Sequence, residues 1–259
     1  MVAVQLAEPV HYPDIVSLIQ QDEPNFTLSV FQKKYLTSDQ NIKIIAVKNR
    51  KIVGFIGGLA DTHTCKERIY WAVDAVVDKH HRKQGIATLL LKNLIDYGKH
   101  VIGIGVKNEH ILKAEIKAGF KVGTHLRTFT AYPSPFVKNT LEQITDFNPS
   151  EMYQNKQYFE VLSEVLTQTV AVIKKEQSYI RVMECSNKQH YLSIVPKIAR
   201  FYGHKVRFLL NTLHCSMLQT CIQTCAIPAK KPEILIYTHE YMRELPVYFG
   251  HSDWFKTYE

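Results

Sequence analysis

Residues 77–88 read VDKHHRKQGIAT and connect a predicted strand to a predicted helix. The stretch before them, IYWAVDAVV at 69–77, is dense in β-branched and aromatic residues, which favour a strand. After the turn, Ile86, Leu90 and Leu94 recur at the spacing of an amphipathic helix. A strand-to-helix turn of this kind directs several backbone N–H groups and a helix N-terminus at one point, which is a binding site for a phosphate.

The composition of the turn fits this interpretation. Gly85 and Ala87 leave the backbone uncovered, so a pyrophosphate can approach its N–H groups. Arg82 and Lys83 add positive charge beside it. The same residue types are common in solvated turns, so the turn alone leaves both a phosphate site and a plain surface turn open.

The spacing R-x-x-G-x-A at 82–87 resembles the acetyl-CoA pyrophosphate loop of the GNAT N-acetyltransferase superfamily. A second block strengthens the resemblance. A short apolar strand at 101–106 is followed by Asn108 and by a Gly-Phe pair at 119–120. In the family, an Asn follows the fifth strand, and a Gly-Phe pair closes the next helix about eleven residues later.

The order of the predicted elements upstream also matches the family. Helices are predicted around 13–21 and 27–36, and strands near 42–48 and 52–60. The matching segment covers roughly residues 1–135. The resemblance therefore implies an α/β chain, in detail an α+β arrangement around a mixed sheet, with the GNAT fold in the N-terminal half.

The resemblance implies acetyl-CoA as the co-substrate. In GNAT enzymes the fourth and fifth strands splay apart, the pantetheine arm pairs with the backbone of the fourth strand, and the pyrophosphate lies in the loop that follows. The cofactor-binding residues implied for this chain are Ala75, Val76, Val77, Arg82, Lys83, Gln84, Gly85, Ile86, Ala87, Thr88 and Asn108.

Acetyl transfer also needs a group that removes a proton from the amine and a donor to the departing thiolate. Asp74 is the only carboxylate within the predicted fourth strand. Burial in an acceptor cleft would make it a better base; the alternative is an Asp that only hydrogen-bonds a neighbouring loop. Glu115 stands where many family members carry a proton-donating Tyr. It could donate only with a raised pKa, or it faces solvent among neighbouring lysines. Gly103 replaces a glutamate that some relatives use as base.

The composition indicates a folded chain without a membrane segment. Of its 259 residues 46% are hydrophobic, enough for the core of one large or two ordinary domains. No run approaches 18 apolar residues, and the first residues lack a signal-peptide pattern, so we expect a cytoplasmic protein. The five cysteines and twelve histidines show no complete zinc-site spacing, so no metal is expected.

The net charge of +8 is spread along the chain. Residues 1–150 hold 19 basic and 14 acidic residues (+5), and the remainder holds 13 and 10 (+3). Because the first half has to bind an anionic cofactor, this excess gives a nucleic-acid partner no separate support.

The second half is predicted to form a separate domain. A proline-containing, weakly periodic segment at 130–150 indicates a linker, so we predict an acetyltransferase domain at 1–135, a linker at 136–150 and a C-terminal domain at 151–259. This domain resembles the degenerate second unit of tandem GNAT proteins, although it lacks the R-x-x-G-x-G pattern. A family-specific helical or α+β extension is the alternative.

The local patterns of the second half are mixed. Residues 153–172 show a helical stripe, and 179–185 alternate like a strand. Residues 191–213 predict either one long kinked helix or a strand, a turn at Pro196 and a helix from about 204. Late strands are predicted at 234–238 and 246–250.

The leading hypothesis is an acetyl-CoA-dependent N-acetyltransferase that acts by direct transfer on a primary amine of an unidentified small molecule or peptide. The departures at Gly103 and Glu115 motivate the alternative, a non-catalytic acyl-CoA-binding regulatory protein. A basic nucleic-acid-binding module is a minor third hypothesis. A tandem chain can bury the face that single-unit relatives use to dimerise, which favours a monomer.

Overall fold

The computed structural model describes residues 1–36, 38–61, 68–104, 109–144, 159–211, 217–224, 226–228 and 233–238. The chain divides into two compact units. The first consists mainly of Met1–Gly123 with Ile234–Leu245, and the second mainly of Thr124–Glu233. The sequence predicted boundaries at 135 and 150. In the structure the chain passes from the first unit to the second after Gly123, inside a strand, and a C-terminal segment belongs to the first unit again.

The described residues form six α-helices, three short 3-10 helices and thirteen strands. The helices are α1 (Tyr12–Gln20), α2 (Leu28–Tyr35), α3 (Ile86–Gly98), α4 (Glu109–Ala118), α5 (Tyr191–Tyr202) and α6 (Met217–Thr224). The strands are β1 (Ala3–Leu6), β2 (Ile42–Lys48), β3 (Lys51–Asp61), β4 (Ile69–Val77), β5 (Val101–Ile104), β6 (Lys121–Ala131), β7 (Leu141–Gln143), β8 (Phe159–Glu164), β9 (Thr169–Lys175), β10 (Ile180–Cys185), β11 (Val206–Asn211), β12 (Ala226–Pro228) and β13 (Glu233–Tyr237).

The first unit is built around a mixed sheet in the order β1-β2-β3-β4-β5-β13. The strands from β1 to β4 pair antiparallel, β5 runs parallel to β4, and β13 pairs antiparallel with β5. The β2–β3 hairpin turns through Asn49 and Arg50, both at positive φ, as a two-residue hairpin turn requires. The confirmed predictions are the two N-terminal helices, strands β2 to β5 and the helices that follow β4 and β5.

Helices cover both faces of this sheet because β3 presents glycines to each side. A Cβ at Gly54 or Gly58 would come within 3 Å of Leu90 or Leu94 on α3, so α3 packs directly on the backbone of β3. On the opposite face, the ring of Tyr35 from α2 lies over Gly57. The core between α3 and the sheet contains Ile44, Ile56, Ile86, Leu90, Leu94, Val101, Phe120 and Ile236.

The second unit repeats this order of elements. Strands β7, β8, β9 and β10 pair antiparallel in sequence, β11 runs parallel to β10 after the crossover helix α5, and α6 follows β11. Strand β6 pairs antiparallel with β11, as β13 does with β5 in the first unit. The last strand of each sheet thus comes after the last helix of the other repeat in the chain: β6 follows α4, and β13 follows α6 and β12.

The structure corrects several predictions for the second half. Residues 159–175 form the β8–β9 hairpin instead of a helix; Val165 and Leu166, which extended the apparent helical stripe, are exposed at its turn. Both alternatives for 191–213 are wrong. Pro196 lies inside α5, which ends at Gly203 in the left-handed conformation, and a strand follows. The predicted linker at 136–150 contains all of β7, and the end of β6 lies in the segment 130–150 from which the linker was inferred.

Two strand predictions for the second half are confirmed. Residues 180–185 form β10, and 233–237 form β13, as expected. The predicted strand at 246–250 lies outside the described residues.

Candidate functional site

The two parallel strands of the first unit separate toward their C-terminal ends. Within the described residues, β4 and β5 pair through Tyr70 with Val101 and Trp71 with Ile102 alone. β4 continues to Val77, six residues beyond the last pair. Over its second half, the edge of β4 that faces β5 therefore has no paired strand in the part of the chain that the structure describes, and an extended chain can pair with such an edge.

A bulge interrupts β4 within this second half. Val73 pairs with Gly57 and Val76 with Phe55, so Asp74 and Ala75 together face the single residue Ile56. Asp74 has a φ of 53°, a left-handed conformation that residues with a side chain rarely adopt. The two residues of the bulge thus leave the ladder with β3, and Ala75 is exposed.

The side chain of Asp74 is bonded to two residues of α2. One carboxylate oxygen, Oδ2, accepts hydrogen bonds from Lys34 Nζ at 2.7 Å and from the hydroxyl of Tyr35. Lys34 and Tyr35 are fully buried, and the Asp74 side chain is 7% exposed. Burial lowers the pKa of Lys34 and raises that of Asp74, while their mutual attraction opposes both shifts.

The predicted phosphate turn has the geometry of an anion-binding loop. After β4, Lys83 and Gly85 adopt positive φ, and Gly85 is the N-cap of α3. The first N–H groups of a helix have no carbonyl partner within it, so those at the start of α3 can bond an anion. Residues 82–85 are exposed, and a Cβ at Gly85 would meet nothing within 4 Å, which leaves the approach to the backbone open.

The basic side chains of this loop are partly engaged by the connection between α1 and α2. Arg82 donates to Asp22 Oδ2 at 2.6 Å and to the carbonyl oxygen of Val77 at 3.0 Å. Lys79 Nζ donates to the carbonyl oxygen of Gln21 at 2.7 Å. Arg82 therefore stabilises the loop through its side chain, and its own charge is shared with a carboxylate.

Lys48 is a cation near the loop that the sequence pattern did not reveal. Its Nζ lies 3.1 Å from Oε1 of Gln84, across the end of the β2–β3 hairpin. The pairing of β3 with β4 brings this hairpin to the loop, and no local motif marks it.

Glu115 faces the interior instead of solvent. It is 7% exposed on the side of α4 that also carries Ala118, whereas Lys113 and Lys117 are exposed. Burial raises the pKa of its carboxyl to about 7. Among the described residues, its buried Oε2 has no hydrogen-bond partner. A carboxyl of this kind carries its proton about half of the time at neutral pH.

Gly103 lies against the strand that closes the sheet. A Cβ at this position would come 3.1 Å from Ile236 of β13, so the side chain of Ile236 occupies the adjacent space. Asn108 lies outside the described residues. Among the residues that the structure describes, no three His, Cys, Asp or Glu side chains are grouped as metal ligands would be.

The second unit has the same strand geometry without the loop. β10 and β11 pair through only two residue pairs, and Met183 is an extra residue in β10 relative to β9. The connection from β10 to α5 spans only residues 186–190 and contains no glycine. The N-cap of α5, His190, lacks the left-handed conformation of Gly85. The open loop is thus a feature of the first unit.

Comparison with known proteins agrees with this geometry. Residues 12–112, which include the bulge, the loop and Glu109 to Leu112 of α4, match the model of the acetyltransferase (GNAT) family. The first unit contains a GNAT acetyltransferase domain. A search of the curated proteins found no match.

Solved structures share the fold over both units. A putative acetyltransferase from Pyrococcus horikoshii aligns with a TM-score of 0.64 at 12% identity, covering 96% of this chain and 93% of its own. A GCN5-related N-acetyltransferase from Anabaena variabilis gives 0.64 at 12% identity, covering 91% and 72%. A tandem GNAT protein from the clavulanic acid biosynthesis pathway gives 0.58 at 8% identity, covering 92% and 98%.

The GNAT domain is of the acyltransferase class, and its fold is a mixed α/β fold as predicted. At these identities the solved structures support the fold alone. No helix among the described residues is long and apolar enough to cross a membrane.

Proposed function

We propose that the protein is an acetyl-CoA-dependent N-acetyltransferase that transfers the acetyl group directly to a primary amine of a small molecule or peptide. The observation that carries this proposal is the gap between β4 and β5, which lies directly before an exposed glycine loop at the start of α3. One extended ligand with an acyl thioester at one end and a pyrophosphate at the other fits both features.

Three sets of residues bind the cofactor in this proposal. The backbone of Ala75, Val76 and Val77 pairs with the pantetheine arm, because the neighbouring edge of β4 is not paired there with β5. The backbone N–H groups of residues 83–88 bind the pyrophosphate, with Arg82 supporting the loop. Asn108, which matches the family pattern, keeps its role as a sequence-based proposal.

In the reaction, the neutral amine attacks the thioester carbon, the new C–N bond forms and the C–S bond breaks. The amine loses a proton, and the departing thiolate of coenzyme A gains one. Glu115 is proposed as the donor to the thiolate, because burial raises the pKa of its carboxyl to about 7 and one oxygen has no partner among the described residues. The general-base role predicted for Asp74 stays a prediction.

Cofactor binding is tested by thermal unfolding with and without millimolar acetyl-CoA. We expect acetyl-CoA to raise the melting temperature, and Gly85→Glu to abolish the rise by placing a bulky anion in the loop. Gly203→Glu is the matched control, because Gly203 also has positive φ and open space but lies at the end of α5. An unchanged melting temperature of the wild-type protein with acetyl-CoA would contradict the proposal.

Catalysis is tested by release of free thiol from acetyl-CoA with a panel of primary amines. The rate should be proportional to the fraction of the amine that is neutral multiplied by the fraction of Glu115 that is protonated. It should rise with pH up to about 7 and then stay level to about 10, the pKa of an ordinary alkylamine. Glu115→Gln should slow turnover and let the rate rise continuously over the same range. A wild-type rate that rises without a plateau would exclude Glu115 as the donor.

A further inference from the structure

We propose that Lys34 and Tyr35 clamp the carboxylate of Asp74 and thereby fix the backbone of the β4 bulge, which makes Asp74 a positioning residue for the acyl group. This inference rests on the proposed function, since it concerns the same cleft. In this proposal Asp74 does not act as a base that exchanges protons with the acceptor. Its side chain instead sets the shape of β4.

The first support is the backbone of the bulge. Asp74 is held at a φ of 53°, and such a conformation persists only where surrounding contacts impose it. Asp tolerates it better than most residues because its short polar side chain can bond nearby groups. The bulge frees the peptide groups of Asp74 and Ala75 from β3, next to the unpaired part of β4.

The second support is that both bonds come from adjacent residues of one rigid element. Lys34 and Tyr35 form the last turn of α2 and donate to the same oxygen of Asp74. The ring of Tyr35 reaches this oxygen by crossing Gly57, where a Cβ would lie only 2.3 Å from the ring. Gly57 is itself the partner of Val73, directly before the bulge. Tyr35 therefore packs against Gly57, the partner of the residue directly before the bulge, and bonds Asp74 within the bulge.

The third support is access. Lys34 and Tyr35 are fully buried and the Asp74 side chain nearly so, whereas a base must come within hydrogen-bond reach of the acceptor amine. In the described residues, the charge that acts on the carboxylate is that of Lys34, and Glu23, from the connection between α1 and α2, raises the pKa of both Lys34 and Tyr35. Proton transfer from an acceptor would have to break bonds that the fold itself makes.

The experiment compares Tyr35→Phe, Asp74→Asn and the double variant with the wild-type protein. Tyr191→Phe is the matched control, because its buried hydroxyl also makes a hydrogen bond, to the carbonyl oxygen of Leu209, but lies in the second unit. For each protein, the measurements are the affinity for coenzyme A, kcat over a pH range, and amide hydrogen exchange of residues 73–77 without ligand.

Tyr35→Phe should lower kcat at least about tenfold while the affinity for coenzyme A changes less than about twofold, because the acyl group and not the phosphates is misplaced. Asp74→Asn should keep the pH profile of the wild-type protein at a lower rate. The double variant should be no slower than the slower single variant, because both changes release the same bulge. Tyr191→Phe should leave all three measurements unchanged.

Two results would overturn the clamp. One is a full kcat in Tyr35→Phe together with loss of the pH dependence in Asp74→Asn, which would identify Asp74 as the base. The other is unchanged hydrogen exchange of residues 73–77 in Tyr35→Phe. The exchange measurement needs no cofactor, so it decides on the clamp even if the wild-type protein fails to bind acetyl-CoA and the proposed function fails.

Discussion

Replacing Glu115 by Gln should make the stability of the first unit much less dependent on pH. The carboxyl has a pKa of about 7 in the folded chain and an ordinary value of 4.5. The folded state therefore binds this proton more tightly than the unfolded chain does. Its stabilising contribution is complete below about pH 4.5 and is lost as the pH rises through about 7.

The size of this effect follows from the same two values. The two pKa values differ by about 2.5, which corresponds to roughly 3 kcal/mol of unfolding free energy. About 2.5 kcal/mol of this is lost between pH 5 and pH 8. Gln cannot ionise, so its variant lacks this contribution. Any constant penalty from burying the amide group cancels when the two pH values are compared.

Urea unfolding followed by the fluorescence of Trp71, which is buried in β4, measures the stability of the first unit. Trp254 is replaced by Phe in every variant so that a single tryptophan reports. Glu142→Gln, at an exposed carboxylate of β7, is the control. We expect Glu115→Gln to gain about 2.5 kcal/mol over the wild-type protein between pH 5 and pH 8. An equal pH dependence in both proteins would refute the buried, proton-bearing Glu115.

Three further predictions use the same unfolding measurement. Gly57→Ala should destabilise the chain by about 1–3 kcal/mol because its Cβ would enter the ring of Tyr35, and a stability equal to that of the wild-type protein would contradict this packing. Gly85→Ala should cost only about 1 kcal/mol, because the space is open and the penalty comes from the positive φ alone; a much larger loss would mean that the loop is packed. Ile236→Asp should destabilise the first unit strongly, whereas Ile227→Asp, at an exposed position of β12, should change little; similar losses would argue against β13 as the closing strand.

The sequence predicted the parts of the site whose signals are local. The β-branched and aromatic stretch at 69–77, the glycine at 85 and the helical spacing after it all lie within residues 69–94, and all three are where the pattern placed them. Short-range patterns of this kind depend on backbone preferences that the residues themselves impose. The same holds for α4. The sequence did not decide whether Glu115 on this helix faces the core or solvent, and the packing shows that it is buried.

The sequence pattern could not predict features that depend on contacts between residues far apart in the chain. The bonds from Lys34 and Tyr35 to Asp74 span 40 and 39 positions of the chain, and the contact of Lys48 with Gln84 spans 36. A lysine on a short helix is normally a surface residue, so nothing local indicates its burial. In the second half, the exposed apolar turn between β8 and β9 imitated a helical stripe, because three-residue spacings also occur by chance across a hairpin.

The packing of the first unit bears on both departures from the family pattern, at Gly103 and at Glu115. Ile236 fills the space beside Gly103 in the core under α3, so a carboxylate at 103 would have to enter an apolar environment at the cost of its charge. The packing of the first unit therefore disfavours a carboxylate at position 103. Glu115, by contrast, is buried where its carboxyl carries its proton about half of the time at neutral pH, so it can donate a proton there. The proposed clamp would remove Asp74, the third candidate, from direct proton transfer. Taken together, the two proposals assign Glu115 to protonation of the leaving thiolate and no described carboxylate to the acceptor amine, which would then arrive neutral or lose its proton to water.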